Sequence, residues 1–414
     1  IQNLKEAGLS VQNAWVLLRN VIAGDTTWTA RTVGIPDSVA QNLDEQAKRM
    51  ICWLFDLAPT NMHTERIWHP MKKGGLGATS VQQTAVPAMI ASWAHALPRI
   101  LETLGVADAA ALGEEILSIQ PIMRKVAEAT MALKESAHQI TISSQTAKTV
   151  KQSAIMKKVH EAAVEKWHTG AGNDTISKAW ARSCGGQGAS AFLTTPVHPG
   201  AHMADTHFLI AVQLRMGKDI IPAVLCPLKK ANSNACGHQC DTKAHHLICC
   251  PAGGCLIRRH DELVAVIMRL LKEWGCTHIQ HEVPMTEDLG RMDIVFTTPT
   301  GITHHLDATI WHAASQEALR AGSACKDGVA AHLAVQSKYR KYPNVKLVPA
   351  ALETGGRVSE PFLRLVRTLA PWGKMRTTEM SMAWQLISAA LQRENARSIE
   401  KARMAWQGHH VQVN

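Results

Sequence analysis

Two aspartates fourteen positions apart, Asp293 and Asp307, have the residue type and spacing that point most directly to chemistry. They lie in GRMDIVFTTPTGITHHLDATIWH, where two strand-like runs flank a turn at residues 299–301. Because strand side chains alternate between faces and hairpin strands run antiparallel, both carboxylates can lie on one face. Two such carboxylates can hold Mg²⁺, which can activate water against a phosphodiester. The simpler alternative is that each aspartate caps a turn or pairs with an arginine such as Arg291.

A lysine that would complete this site is expected on the next helix. Thr309 stands where a lysine commonly follows the second acid by two residues. Lys338 and Lys341 instead lie in DGVAAHLAVQSKYRKY, which has apolar residues at helical spacing. From a helix packed against the sheet, either lysine could stabilise the attacking water or the charge of the phosphate. Glu353, at the end of the following strand, is a further candidate acid.

Cysteines and histidines crowd the segment CGHQCDTKAHHLICC, residues 236–250. A tetrahedral zinc ion takes four nitrogen or sulfur ligands, usually as two close pairs. The predicted ligands are Cys236, Cys240, His246 and Cys250, with His245 and Cys249 as open alternatives. Since protein can fill all four positions, no place is left for a catalytic water, and the zinc would be structural. The alternative is a set of buried free cysteines.

The elements needed to position these groups predict an α+β, multi-domain chain. Helical periodicity dominates the first third, where Gly74, Gly75 and Gly77 introduce a turn. After the Cys/His cluster the order is helix, strand, two aspartate strands, lysine helix and strand. That order resembles the core of restriction-like PD-(D/E)xK nucleases. The predicted parts are an all-α region at 1–135, a helical linker at 136–225, a zinc knuckle at 226–255, a restriction-endonuclease-like α/β domain at 256–375 and a helical tail at 376–414.

Composition and charge narrow the choice of partners. Of 414 residues, 46% are hydrophobic, which indicates a globular chain rather than a disordered one. The net charge of +10 favours a polyanionic partner. No run of eighteen apolar residues occurs, so no membrane partner is expected. Six of the ten cysteines fall within thirty residues, which indicates metal binding in a reducing compartment rather than a disulfide scaffold.

Seven short motifs occur in an order that is similar to one known family. MKKGGLGATSVQQTAVPAMIASW, GQGASAFLTTP and HFLIAVQLRMG precede the Cys/His cluster, and RRH, the aspartate hairpin, KYRKY and ALETGG follow it. Together they resemble the C-terminal part of non-LTR retrotransposon proteins that carry a restriction-like endonuclease. The first motif is similar to the segment that follows the reverse-transcriptase palm. The resemblance covers most of residues 1–375.

The resemblance implies a nuclear, element-encoded protein that binds its element RNA and nicks target DNA to prime reverse transcription. It implies a thumb-like role for residues 1–135, with the palm expected upstream of Ile1 unless the element is decayed. No ADD polymerase motif occurs, so the chain is not expected to copy RNA by itself. The implied residues are Asp293 and Asp307 for Mg²⁺, Lys338 as catalytic lysine with Lys341 and Tyr342 beside it, Glu353 as auxiliary acid, and Cys236, Cys240, His246 and Cys250 for zinc. The second hypothesis is a non-catalytic nucleic-acid-binding remnant of such a protein.

Overall fold

The computed structural model describes residues 6–58, 64–105, 150–170, 174–285, 290–371 and 376–411, together with positions 3 and 373. Within them the chain is mixed α+β, with twelve helices and one four-stranded sheet. The helices are α1 (Val11–Thr32), α2 (Asp37–Phe55), α3 (Val81–Leu104), α4 (Gln152–Thr169), α5 (Thr175–Ser183), α6 (Asp205–Met216), α7 (His245–Cys249), α8 (Cys255–Glu273), α9 (Gln316–Arg320), α10 (Val329–Lys341), α11 (Glu360–Leu369) and α12 (Arg376–Val411). The strands are β1 (Thr277–Pro284), β2 (Arg291–Thr297), β3 (Thr303–Trp311) and β4 (Leu347–Glu353).

The sheet has the strand order β1-β2-β3-β4. Strand β2 pairs antiparallel with both β1 and β3. The predicted hairpin is confirmed, because β2 and β3 are joined by a tight turn in which Thr298 N–H donates to the Ile302 carbonyl at 2.8 Å. Gly301 takes φ +82° there, a conformation that glycine adopts without strain. Strand β4 runs parallel to β3, as the crossover through α10 requires.

The two faces of the sheet are covered by different helices. On one face, apolar residues of the strands join a large core with α8, α11 and α12. The strand residues of that core are Ile294, Phe296, Leu306, Ala308, Ala350 and Leu352. On the other face, Ala334 and Val335 of α10 pack against Ala351 and Trp311. Since strand side chains alternate, the odd-numbered residues Asp307 and Glu353 lie on the α10 face.

Helix α12 runs through the centre of the molecule. Its residues belong to three core clusters, including Trp384 with the sheet, Ala389 with α1 and α6, and Ile399 with the Cys/His segment. Glu394 is fully buried within it and accepts a hydrogen bond from Arg258 of α8 at 2.6 Å. The segment predicted as a helical tail is therefore a helix that packs into three hydrophobic cores.

The predicted glycine turn is confirmed and is held by buried arginines. Arg66 donates to the Gly74 carbonyl at 2.6 Å, and Arg215 donates to the Gly75 carbonyl at 3.0 and 3.1 Å. Both guanidinium groups are almost fully buried. A Cβ atom on Gly75 would lie 2.1 Å from the His69 carbonyl oxygen, so no other residue fits this turn.

Several predicted segments lie partly outside the described residues. Of the region at 1–135, residues 106–135 are outside, and so are residues 136–149 of the predicted linker. The described part of residues 136–225 contains α4, α5 and α6. Across the described chain, no helix combines the length and the apolar character needed to cross a membrane.

Candidate functional site

Four side chains converge into a candidate metal centre in the Cys/His segment. Ligand atoms of Cys226, Cys236, His246 and Cys250 all lie within 4.8 Å of one another. The Cys226 and Cys250 sulfurs are 3.8 Å apart, and Cys236 Sγ lies 3.6 Å from His246 Nε2. Around tetrahedral zinc, bond lengths of about 2.3 Å to sulfur and about 2.0 Å to nitrogen would separate two sulfurs by about 3.8 Å and sulfur from nitrogen by about 3.5 Å. Both distances therefore fit zinc, and the set can bind such a metal.

A short antiparallel turn and a short helix bring these ligands together. Cys226 N–H donates to the His238 carbonyl at 2.8 Å, and Cys236 N–H donates to the Leu228 carbonyl at 2.7 Å. Helix α7 begins where Asp241 accepts hydrogen bonds from the backbone N–H groups of His245 and His246. His246 thus lies in the first turn of α7, and Cys250 follows its last residue.

The structure resolves both doublets that the sequence left open. His246 is in the cluster, whereas the ring of His245 packs against Trp180 and His312, with centroids 5.1 Å away in each case. Cys250 is in the cluster, whereas Cys249 lies on the side of α7 that faces the guanidinium of Arg259.

Cys226 takes the place that the sequence assigned to Cys240. Cys240 is buried and lies beside Cys226, but it is not one of the four converging residues. Burial raises the pKa of Cys226 to about 11 and that of Cys250 to about 12. A zinc ion would offset this cost, since a coordinating thiol loses its proton to the metal.

Asp293 and Asp307 meet where β2 and β3 part. The last paired residues of the ladder are Ile294 and Leu306, and one further step of the same register sets the two aspartates opposite each other. Asp293 Oδ2 accepts hydrogen bonds from the Ala308 backbone N–H at 2.7 Å and from His260 Nε2 at 3.1 Å. The predicted proximity of the two acids is therefore supported by the register and by their mutual electrostatic effect.

Lys338 is the lysine that contacts this pair. Its Nζ donates to Asp307 Oδ1 at 2.5 Å from the third turn of α10, with only 19% of its side chain exposed. Lys341 is exposed at the end of α10, and its Nζ lies 4.8 Å from the centre of the Tyr342 ring. Tyr342 is buried, donates to the Arg291 carbonyl at 3.2 Å and also reaches Asp307.

The two carboxyl groups have their pKa values shifted in opposite directions. Burial raises the pKa of Asp307, and the negative charge of Asp293 adds to this, against the opposing effect of Lys338. Burial acts in the same direction on Asp293, but the hydrogen bond and charge of His260 outweigh it, so the pKa of Asp293 is lowered. The same hydrogen bond raises the pKa of His260 to about 9. At neutral pH Asp293 and His260 are therefore an ion pair. Opposed shifts in one acid pair are common where carboxylates take different roles.

Glu353 is not brought to the aspartate pair. In the parallel register it lies opposite Trp311, whereas Asp307 lies opposite Pro349, which separates them by four residues or roughly 13 Å along the strands. Its buried carboxylate accepts a hydrogen bond from the Ala331 backbone N–H at 3.1 Å, in the first turn of α10. Glu353 thus caps the helix that carries Lys338.

Two residues of these sites were not assigned from the sequence. His260 was noted only as part of an RRH motif, and its contact with Asp293 depends on how α8 crosses the sheet. Nine residues separate Cys226 from Cys236, and Cys226 lies outside the segment 236–250 from which the ligands were predicted. The turn-forming residues between these cysteines, ANSN at 231–234, are the signal that could have paired them.

Compared with known proteins, the chain matches no family model and no curated protein.

Proposed function

We propose that this chain is a Mg²⁺-dependent DNA endonuclease, the C-terminal portion of a non-LTR retrotransposon protein. The observation that carries the proposal is the contact of Lys338 with Asp307 at 2.5 Å, beside a second carboxylate. Two acids and a lysine on adjoining strands and a crossover helix are what hydrolysis of a phosphodiester needs. The order of motifs along the chain supports the retrotransposon context.

The donor set fits a magnesium ion. Mg²⁺ prefers oxygen ligands and is usually held by one or two carboxylates, with several waters retained. Among the described residues, none donates a hydrogen bond to Asp293 Oδ1, so this oxygen is open to a cation. When bound there, Mg²⁺ would supply an acidified water and neutralise charge on the phosphate.

The protein groups around the pair have distinct tasks in this proposal. His260 keeps Asp293 ionised by holding it in an ion pair. Tyr342 holds the Asp307 carboxylate by hydrogen bonding, and Lys338 presents positive charge to the phosphate as its charge grows. Water attacks phosphorus as the bond from phosphorus to the sugar O3′ breaks. The departing O3′ takes a proton from solvent, and the resulting 3′-hydroxyl can serve as a primer end.

The cluster formed by Cys226, Cys236, His246 and Cys250 is proposed as a structural zinc site. All four tetrahedral positions are filled by protein, which leaves none for a catalytic water. With a net charge of +10, the chain is suited to polyanionic partners, and we propose target DNA and element RNA. A nuclear location follows from such a role. Copying of RNA is not proposed for this chain.

Nicking of supercoiled plasmid with Mg²⁺ tests the nuclease proposal. Wild type is expected to convert supercoiled DNA to open circles, and Asp293→Asn and Asp307→Asn are expected to slow this at least about 100-fold. Glu317→Gln, an exposed acid of α9, is the matched control and should nick at the wild-type rate. Equal nicking by wild type and both aspartate variants would refute the proposal.

The second candidate function is a nucleic-acid-binding protein that no longer cleaves. One observation favours it: the Cys/His cluster and the lysines near it include neither Asp293 nor Asp307, so they could bind nucleic acid without a working nuclease site. If wild type binds DNA but does not nick it in Mg²⁺ or Mn²⁺, this second function replaces the first.

A further inference from the structure

A groove of about 850 Å³ separates the Cys/His segment from α8 and α12. Its lining includes Leu228, Lys229, Lys230, Pro251, Ile257 and Lys401. Volumes of this size are typical of sites for ligands as large as a nucleotide or a drug. The groove lies outside the acid pair and outside the four converging Cys and His residues.

The groove has a part lined by lysines and a part lined by apolar side chains. Lys229, Lys230 and Lys401 are exposed, and Lys401 Nζ donates to the Gly253 carbonyl at 2.7 Å. The lysines that form ion pairs in the described chain are others, namely Lys48, Lys157, Lys218, Lys243 and Lys338. Among the described residues, the three groove lysines therefore form no ion pair within 4.0 Å.

The apolar part of the groove is exposed to solvent. Ile257 is 69% exposed in the first turn of α8, whereas Leu263, Ile267 and Leu271 of the same helix are buried. Pro251 lies next to it, and Leu228 lies behind. No side chain caps the first turn of α8. The apolar surface could bind a nucleotide base, and the lysines beside it could bind the phosphate of that nucleotide.

Helix α8 connects this groove to the acid pair. Ile257 in the groove and His260, which contacts Asp293, are three residues apart and therefore neighbours on one face, with Cβ atoms about 5–6 Å apart. A polymer bound at the acid pair can therefore extend along α8 to the groove.

We propose that this groove binds an unpaired stretch of the DNA strand that flanks the scissile phosphate. The inference rests on the proposed function for the identity of the polymer. Duplex DNA keeps its bases stacked inside, so the exposed apolar surface at Ile257 gains nothing from it. An unstacked base can cover that surface while Lys229, Lys230 and Lys401 bind the phosphates on either side. The enzyme would then prefer DNA that is open next to the cleavage site.

Binding without Mg²⁺ tests this groove separately from cleavage. The zinc-loaded chain is titrated against fluorescein-labelled 20-mers of one sequence, as single-stranded DNA, duplex DNA and RNA, with fluorescence anisotropy as the readout. Lys229→Gln with Lys230→Gln is expected to lower the slope of log Kd against log salt for the single strand by about 1.4. Ile257→Ser is expected to weaken single-strand binding about 3- to 10-fold, with the salt slope and the duplex affinity unchanged.

Lys272→Gln is the matched control, because Lys272 is an exposed lysine in the last turn of the same helix, roughly 22 Å from Ile257. It should bind all three polymers as wild type does. Unchanged single-strand binding by both groove variants, or equal losses for duplex and single strand, would overturn the inference. Tighter binding of RNA than DNA in the groove would overturn the choice of DNA. If the groove variants lose single-strand binding while wild type fails to nick plasmid, the groove stands and the nuclease proposal falls.

Discussion

Replacing Cys226 with alanine is expected to weaken zinc binding at the proposed site strongly, whereas replacing Cys240 is expected to change it little. Cys226 Sγ lies 3.8 Å from Cys250 Sγ, the separation of two sulfurs on one zinc ion, and Cys240 is outside the converging set. Structural zinc sites bind with about 10–16 kcal/mol at pH 7, so one of four ligands is worth roughly 3 kcal/mol, or about 100-fold in Kd. Cys240→Ala removes only a small buried thiol and should change the zinc Kd less than about fivefold.

Competition against a chromogenic chelator measures these zinc affinities directly. Cys226→Ala should lose its zinc at chelator concentrations about 100-fold lower than wild type requires, and its unfolding temperature should fall at correspondingly lower EDTA concentrations. Because Cys240 lies beside Cys226 and could replace it, the double variant is the stricter version, and it should bind zinc no better than the single one. Zinc loss in Cys240→Ala together with zinc retention in Cys226→Ala would refute the ligand assignment.

Two further predictions concern the glycine turn. Gly75→Ala should destabilise the fold by about 3 kcal/mol or more, because its Cβ would lie 2.1 Å from the His69 carbonyl oxygen. Gly24 lies in open space on α1, so Gly24→Ala should raise the free energy of unfolding by about 1 kcal/mol. Urea unfolding of the two variants shows whether Gly75→Ala is destabilising and Gly24→Ala stabilising. Burial lowers the pKa of His69 to about 3, below its unfolded value, so the unfolded chain binds the extra proton and stability falls as the pH falls. From pH 6 to pH 5 wild type should lose about 1.2 kcal/mol more than His69→Gln, and an equal loss would show that His69 is not buried in its neutral form.

The sheet and its hairpin could be predicted because their signals are local. Alternating apolar residues on either side of residues 299–301 fix β2 and β3, and a two-residue period leaves one register that buries Ile294 and Leu306. The same register carries Asp293 and Asp307 to one place. Lys338 could be predicted as a candidate because α10 is a crossover helix that must lie on the sheet.

The features that could not be predicted from the sequence depend on contacts between residues that are far apart along the chain. Helical spacing shows that residues 376–411 form a helix, but it does not show that three different cores will enclose it. Glu353 ends the strand that pairs with β3, yet the parallel register displaces it by four residues from the position opposite Asp307. Cys226 and His260 reach their partners through a turn and a helix crossing, which no local pattern specifies.

Single-turnover nicking by Lys338→Ala and Lys341→Ala tests the central claim most directly. The two lysines share one helix and one charge, but only Lys338 contacts Asp307, whereas Lys341 lies over Tyr342. At saturating DNA and with matched unfolding temperatures, Lys338→Ala is expected to nick about 100- to 1,000-fold more slowly than wild type. Lys341→Ala should stay within about threefold of wild type under the same conditions. Equal rates for the two variants, whether both fast or both slow, would contradict a catalytic site built on Asp293, Asp307 and Lys338.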